Sequence, residues 1–165
     1  MRAVICLALG MLACAPEPMS YARPGDASYR AAVVCTTAEL APFVQDAARR
    51  WHEADAGVSM STRTLSAPQD EPDGCDVNVY VDANLRTGTG DEGFANPGLI
   101  LVDGSDEFMS DASDVIAHEF GHLLIGGMND EAHSADTASV MFGREQAGEQ
   151  TITAADVAKI GKFTR

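Results

Sequence analysis

Positive charge is scarce in this chain. Eleven Lys and Arg stand against 25 Asp and Glu, a formal net charge of −14 at pH 7 with a pI near 4.4. Binding to phosphate backbones needs clustered basic side chains, so nucleic acid is not expected as a partner. Long apolar runs are missing as well: no stretch of the mature chain is long enough to cross a bilayer as a helix. Cysteine is sparse, with four in 165 residues, and their spacing is not that of a thiolate zinc site. There is no internal repeat, and the length favours one domain. What is present is a 45% hydrophobic composition, enough for a single buried core.

The first residues read as an export signal. Arg2 is a short basic region, Ala3 to Ala13 is a compact apolar stretch, and Cys14 follows it. "MLAC" resembles a bacterial lipobox, with Met11 where Leu is usual. Processing there makes residues 1–14 a signal peptide and puts lipid on Cys14, holding the mature protein on the cell surface or outer membrane. Cleavage after Ala15 secretes it instead, and an unprocessed chain is the third possibility. Residues 15–28, "APEPMSYARPGDAS", read as a flexible tether, which leaves 29–165 as the folded domain. Cys6 falls inside the signal. Cys35 and Cys75 remain as an even pair in an exported chain, a candidate disulfide.

Patterning gives the order of elements. Tyr29 to Cys35 is rich in β-formers. The stretch from Thr36 to Asp55 places Leu40, Phe43, Val44, Ala47 and Trp51 at helical spacing, with Thr36 or Thr37 as cap and Gly57 as stop. Val58 to Thr64 and Cys75 to Asp82 alternate as half-buried strands. Gly93 to Asn96 and Leu99 to Asp103 flank a Pro97-Gly98 turn, the first as an edge strand. The acidic run after Asp103 lacks the spacing of a calcium loop and reads as a solvated connection. Helix resumes at Ser110 or Asp111 and runs to Ile125, with Val115, Ile116, Phe120, Leu123 and Leu124 as its buried stripe and Gly126 and Gly127 as its stop. Thr151 to Phe163 predicts a last helix, with Thr153 and Asp156 as a capping pair. The class is α+β: one domain with one twisted sheet.

Four histidines are present, and three of them fall within the sixteen residues "HEFGHLLIGGMNDEAH". His118 and His122 stand four apart, so one helix presents both on the same face, where they can reach one ion at about 2.0–2.1 Å. Glu119 is placed to take a proton from a water that zinc has acidified and to pass it to a leaving amine. This is the logic of H-E-x-x-H on a helix. His52 reads as ordinary surface. Two histidines meeting on a polar helix face by chance is the bland alternative; the apolar opposite face and the small Gly121 between them favour a site.

"HEFGH", the later "HSAD" and "SVMFG" together resemble the metzincin metalloproteases, most closely the matrixin-like branch. "GFANPGLILVD" is similar to that family's substrate-binding edge strand and its neighbour, "AARRW" to its first helix and "ITAADVAKI" to its C-terminal helix. The resemblance covers most of Tyr29 to Phe163. It implies a mostly parallel sheet with an antiparallel edge strand, a long first helix, an active-site helix and a C-terminal helix. It also implies one catalytic zinc held by His118, His122 and His133, with Glu119 as base, Met141 as the methionine beneath the metal, and Gly93, Phe94, Ala95 and Asn96 as the strand that pairs with substrate. Two features depart from the pattern: Ile125 stands where the motif has glycine, and ten residues separate His122 from His133 where the motif has about five. Asp130, Glu145 and Glu149 are the other candidates for the third ligand. The implied strand arrangement also sets Cys35 and Cys75 at strand ends that lie apart unless loops join them.

The expectation is therefore an exported, monomeric zinc endopeptidase acting on peptide or protein, touching membrane only through an N-terminal lipid. The alternatives are a zinc peptidase using a downstream Glu as third ligand, and a surface lipoprotein with this fold and a disabled site that binds a partner. The sequence leaves the substrate open.

Overall fold

The computed structural model describes residues 22–55, 57–67, 74–85, 92–104, 112–127, 132–143 and 150–162. Cys14, Asp130, Glu145 and Glu149 lie outside the described residues, as do residues 1–21 of the signal and tether.

Five strands form one sheet: β1 (Val33–Thr37), β2 (Ser61–Leu65), β3 (Val77–Asp82), β4 (Gly93–Asn96) and β5 (Leu99–Asp103). Their order is β2-β1-β3-β5-β4; the first four run parallel and β4 runs antiparallel to β5 at the edge. Parallel neighbours need a crossover, and α1 (Ala41–Ala54) supplies it between β1 and β2. The antiparallel pair needs only a tight turn: Pro97 pre-sets its φ and Gly98 takes φ 74°, a combination suited to a type II turn. The mixed class and the edge position of β4 agree with the patterning. No helix among the described residues is long and apolar enough to cross a membrane.

Period-two alternation puts Val34, Val77, Val79, Ala95, Ile100 and Val102 in the core. α1 and α2 (Ala112–Ile125) cover that layer and pack on each other. Trp51 of α1 is fully buried, and its indole N–H donates to the carbonyl of Ala117 in α2 at 2.8 Å, so its polar edge is satisfied inside the core. Burying an aromatic of this size contributes on the order of 2–3 kcal/mol. Arg50 ties the same two helices at their rim through Asp114 and reaches the Gln150 carbonyl at 2.6 Å.

Local structure departs from the patterning in four places. Tyr29 does not begin a strand: Ala27–Ala31 is a 3-10 helix whose cap, Asp26, accepts from the Ser28 N–H, and β1 starts at Val33. Thr36 and Thr37 belong to β1, so α1 starts at Ala41 with Pro at its first turn and no side-chain cap. The last helix, α3 (Ala154–Val157), is a single turn, although its Thr153/Asp156 capping box is as the sequence predicts. Residues 22–28, assigned to the tether by composition, pack on the domain instead. The Tyr29 hydroxyl donates to the Ala22 carbonyl at 2.6 Å, and the Gly25 N–H donates to the Leu123 carbonyl. That contact has a purpose at the end of α2, where helix carbonyls lack internal partners. Gly126 turns the chain with φ 94°, Gly25 satisfies Leu123, and Gly161 satisfies Leu124 at 3.0 Å.

The strand arrangement also brings the two cysteines together. β1 pairs directly with β3, Cys35 opposite Asn78, and the run-in to β3 is held on β1 by the Asp76 N–H on the Val33 carbonyl at 2.9 Å. Cys75 therefore lies beside Cys35, with Cα atoms 5.7 Å apart, and a disulfide joins them. The expectation that these strand ends lie apart fails because the run-in to β3 sits on β1 itself.

Candidate metal centre

His118 and His122 lie one turn apart on α2, their ring centroids 4.8 Å apart. His133 stands on irregular chain after the helix, with its centroid 5.2 Å from His118 and 5.1 Å from His122. The three rings can each offer one nitrogen, and these atoms lie within 4.8 Å of one another. Among the described residues this is the group of His, Cys, Asp and Glu side chains that could hold a metal ion.

The hydrogen bonds of the first two rings fix their tautomers. Nδ1 of His118 lies 2.7 Å from the Val140 carbonyl, and Nδ1 of His122 lies 2.6 Å from the Gly127 carbonyl. A carbonyl can only accept, so each Nδ1 donates its proton, and in a neutral ring each Nε2 is bare. The two Nε2 atoms face each other at 3.0 Å. Burial pushes His118 down to about 4, against the opposing pull of its bond to Val140, and pushes His122 down to about 4, assisted by the nearby charge of His118. Both rings are thus neutral near pH 7. Two bare lone pairs at 3.0 Å repel unless a cation stands between them, and ligating histidines typically commit their second nitrogen to a carbonyl in this way. The residues present fit a metal ion.

Glu119 follows His118 on the helix and is 6% exposed. β4 reaches it through Gly93: a Cβ there would fall 2.5 Å from the Val115 side chain and 2.6 Å from Oε1 of Glu119. Only glycine lets the edge strand come this close to the helix. Phe94 points away, 43% exposed, while Ala95 is buried and Asn96 is exposed.

Met141 is fully buried under α2. Its sulfur lies so near Gly121 that a Cβ on that glycine would overlap it, and Trp51 presses on the same glycine from α1. The chain from His133 to Met141 closes on itself: the Ser134 N–H donates to the Met141 carbonyl at 2.7 Å. Gly143 passes over the His133 ring, where a Cβ would sit 3.0 Å from Nδ1.

Several supporting groups escape sequence reasoning. Asp156, fully buried, accepts the Ser139 hydroxyl at 2.8 Å and the Thr153 N–H at 2.8 Å; the Ser139 oxygen in turn accepts the Met141 N–H at 3.0 Å. Lys159 donates to the carbonyls of Ala132 and His133. The capping pattern signals Asp156 as a cap but not as the anchor of the Met141 turn. Nothing in the sequence signals the backbone acceptors at Val140 and Gly127, because a carbonyl's direction depends on the fold. His52, read as surface, is exposed on α1, with Nδ1 at 2.7 Å from the Val58 carbonyl.

No protein-family model matches the chain, and no curated protein matches it significantly.

Proposed function

We propose that the chain is an exported zinc endopeptidase of metzincin type, with His118, His122 and His133 as zinc ligands and Glu119 as general base. The observation that carries this reading is the convergence of three imidazoles, two with their Nδ1 protons committed to carbonyls, beside a buried glutamate on the same helix. Three imidazole nitrogens are the donor set of a catalytic zinc site, which leaves its fourth position to water or substrate, rather than of a four-ligand structural one. His118, His122 and His133 would hold the zinc, which would supply a Lewis acid to polarise a peptide carbonyl and acidify water. Glu119, buried beside His118 on the same helix, would serve as the base that takes a proton from water and returns it to the leaving amine. Its neighbour β4 ends the sheet order, and an extended peptide adds to that edge by backbone hydrogen bonds along Gly93 to Asn96. The sheet order, the antiparallel edge and the buried Met141 support the metzincin assignment. The disulfide supports export, since such bonds persist in oxidising compartments; lipid on Cys14 or plain secretion are the two routes.

Metal analysis of the purified protein should give one zinc per chain, with peptide cleavage lost on chelation and regained with zinc. A folded, metal-replete sample without zinc overturns the reading. Glu119→Gln should keep the zinc and lose about 10²–10⁴-fold in turnover. Cleavage near the wild-type rate in that variant would remove Glu119 from the role.

A further inference from the structure

The first two ligands and the third are held by different means. His118 and His122 inherit their spacing from the helix. His133 lies eight residues past the helix end at Ile125, outside any helix or strand. Something outside that segment must fix it. Two contacts come from within it: Ala132 packs against Gly127, where a glycine Cβ would lie 3.0 Å from the alanine Cβ, and the Ser134 N–H bonds Met141. A contact on the backbone of Ala132 and His133 comes from Lys159, just past α3. Its ammonium donates to the His133 carbonyl at 2.7 Å and to the Ala132 carbonyl at 3.1 Å. The first is the short distance of a charge-assisted bond. A lysine side chain keeps most of its freedom on a surface; this one is half-buried and spans two consecutive carbonyls of the ligand segment.

We propose that Lys159 is a positioning residue for the third ligand: its ammonium holds the backbone of Ala132 and His133 so that the imidazole meets the ion bound by His118 and His122. The inference rests on the metal reading above and adds a residue of the C-terminal segment to it. The C-terminal segment then serves both ends of one loop, Asp156 of α3 at the Met141 turn and Lys159 just beyond it at the ligand.

The test uses cobalt(II) and zinc on the full chain. Lys159→Met should lower zinc affinity about 10–100-fold in competition with a chromophoric chelator, the loss typical when a group supporting a metal ligand is removed. At saturating cobalt its visible spectrum should move toward that of His133→Ala, because the nitrogen donor is misplaced. Lys159→Arg, which can still donate to both carbonyls, should recover most of the affinity and the wild-type spectrum. Lys162→Met removes the same charge from an exposed neighbour and should change neither. If Lys159→Met fails to give a cooperative unfolding transition, Lys159→Gln, which keeps a neutral donor, takes its place with the same expected direction. Unchanged affinity and spectrum in the folded variant overturn the proposal, as does an arginine variant no better than methionine. Failure of the metal reading is seen separately: the wild-type chain itself would then bind neither ion.

Discussion

The two halves of the candidate metal centre are built by opposite strategies. One half is a helix: His118, Glu119 and His122 take their relative positions from a 3.6-residue repeat, and only the ring orientations need outside help, from the carbonyls of Val140 and Gly127. The other half is a loop from His133 to Met141 with almost no regular structure, held by hydrogen bonds to its own backbone and to α3. The helix half is a local property of the sequence. The loop half depends on contacts with the C-terminal segment. The lesson is that a three-ligand site can be two-thirds local and one-third tertiary, and its weak point is the tertiary third.

Breaking either half at a ligand should give the largest effect. His122→Ala and His133→Ala should each cost more than the 10–100-fold in zinc affinity that a supporting group is worth, read by chelator competition. The contrast appears in the metal-free proteins. His133→Ala should leave thermal stability close to wild type, because its ring is only partly buried. His122→Ala should lower it, because a 7% exposed ring and its bond to Gly127 are lost from the core. Equal destabilisation by the two would erase the distinction drawn between the halves. A smaller effect is expected where the halves touch. Gly121→Ala puts a methyl onto the Met141 sulfur and against Trp51, so it should destabilise by about 1–3 kcal/mol in denaturant unfolding. The gain in helix propensity, about 1 kcal/mol, works against that cost. A stabilised variant would mean that Met141 moves away freely and does not lock the loop to the helix.

A pH dependence of the metal-free chain should accompany these effects. His118 and His122 sit at about 4 in the fold and near 6.5 when unfolded, so below pH 6.5 the unfolded state binds more protons and stability falls. The loss should reach roughly 1 kcal/mol by pH 6, keep growing as pH falls further, and level off only below about pH 4. Thermal melts across that window check it, and a rise in stability on acidification would reverse the assignment of both rings as buried and neutral.

Legibility in the sequence follows the same division. The amphipathic stripe of α1, the alternation of β3 and β5, the Pro97-Gly98 turn and the pair His118/His122 are all short-range patterns, and each is where the patterning puts it. The capping box at Thr153 is legible for the same reason. What the sequence hides is either a boundary or a long-range bond. β-formers at Tyr29 read as strand, but the tyrosine hydroxyl is drawn to Ala22 and Gly98, and the backbone there winds into a 3-10 turn. The packing of residues 22–28 depends on bare carbonyls at the end of α2, which no composition reveals. His133 is legible as a histidine near the motif; that its ring lies with the other two is a consequence of contacts with Gly143, Met141 and Lys159.

The covalent link between Cys35 and Cys75 bears on how the chain reaches this fold. β1 pairs with β3 across an intervening α1 and β2, so the central pairing of the sheet has high sequence separation, and such pairings form slowly because loop closure precedes any reward. The disulfide spans 40 residues and encloses α1 and β2 in a covalent ring. Once oxidised, the unfolded chain already has β1 tethered beside the run-in to β3, which lowers its entropy by an amount equivalent to about 4 kcal/mol in the chain-entropy account. The ring holds one helix and one edge strand, while the three histidines all lie downstream of Cys75, outside it.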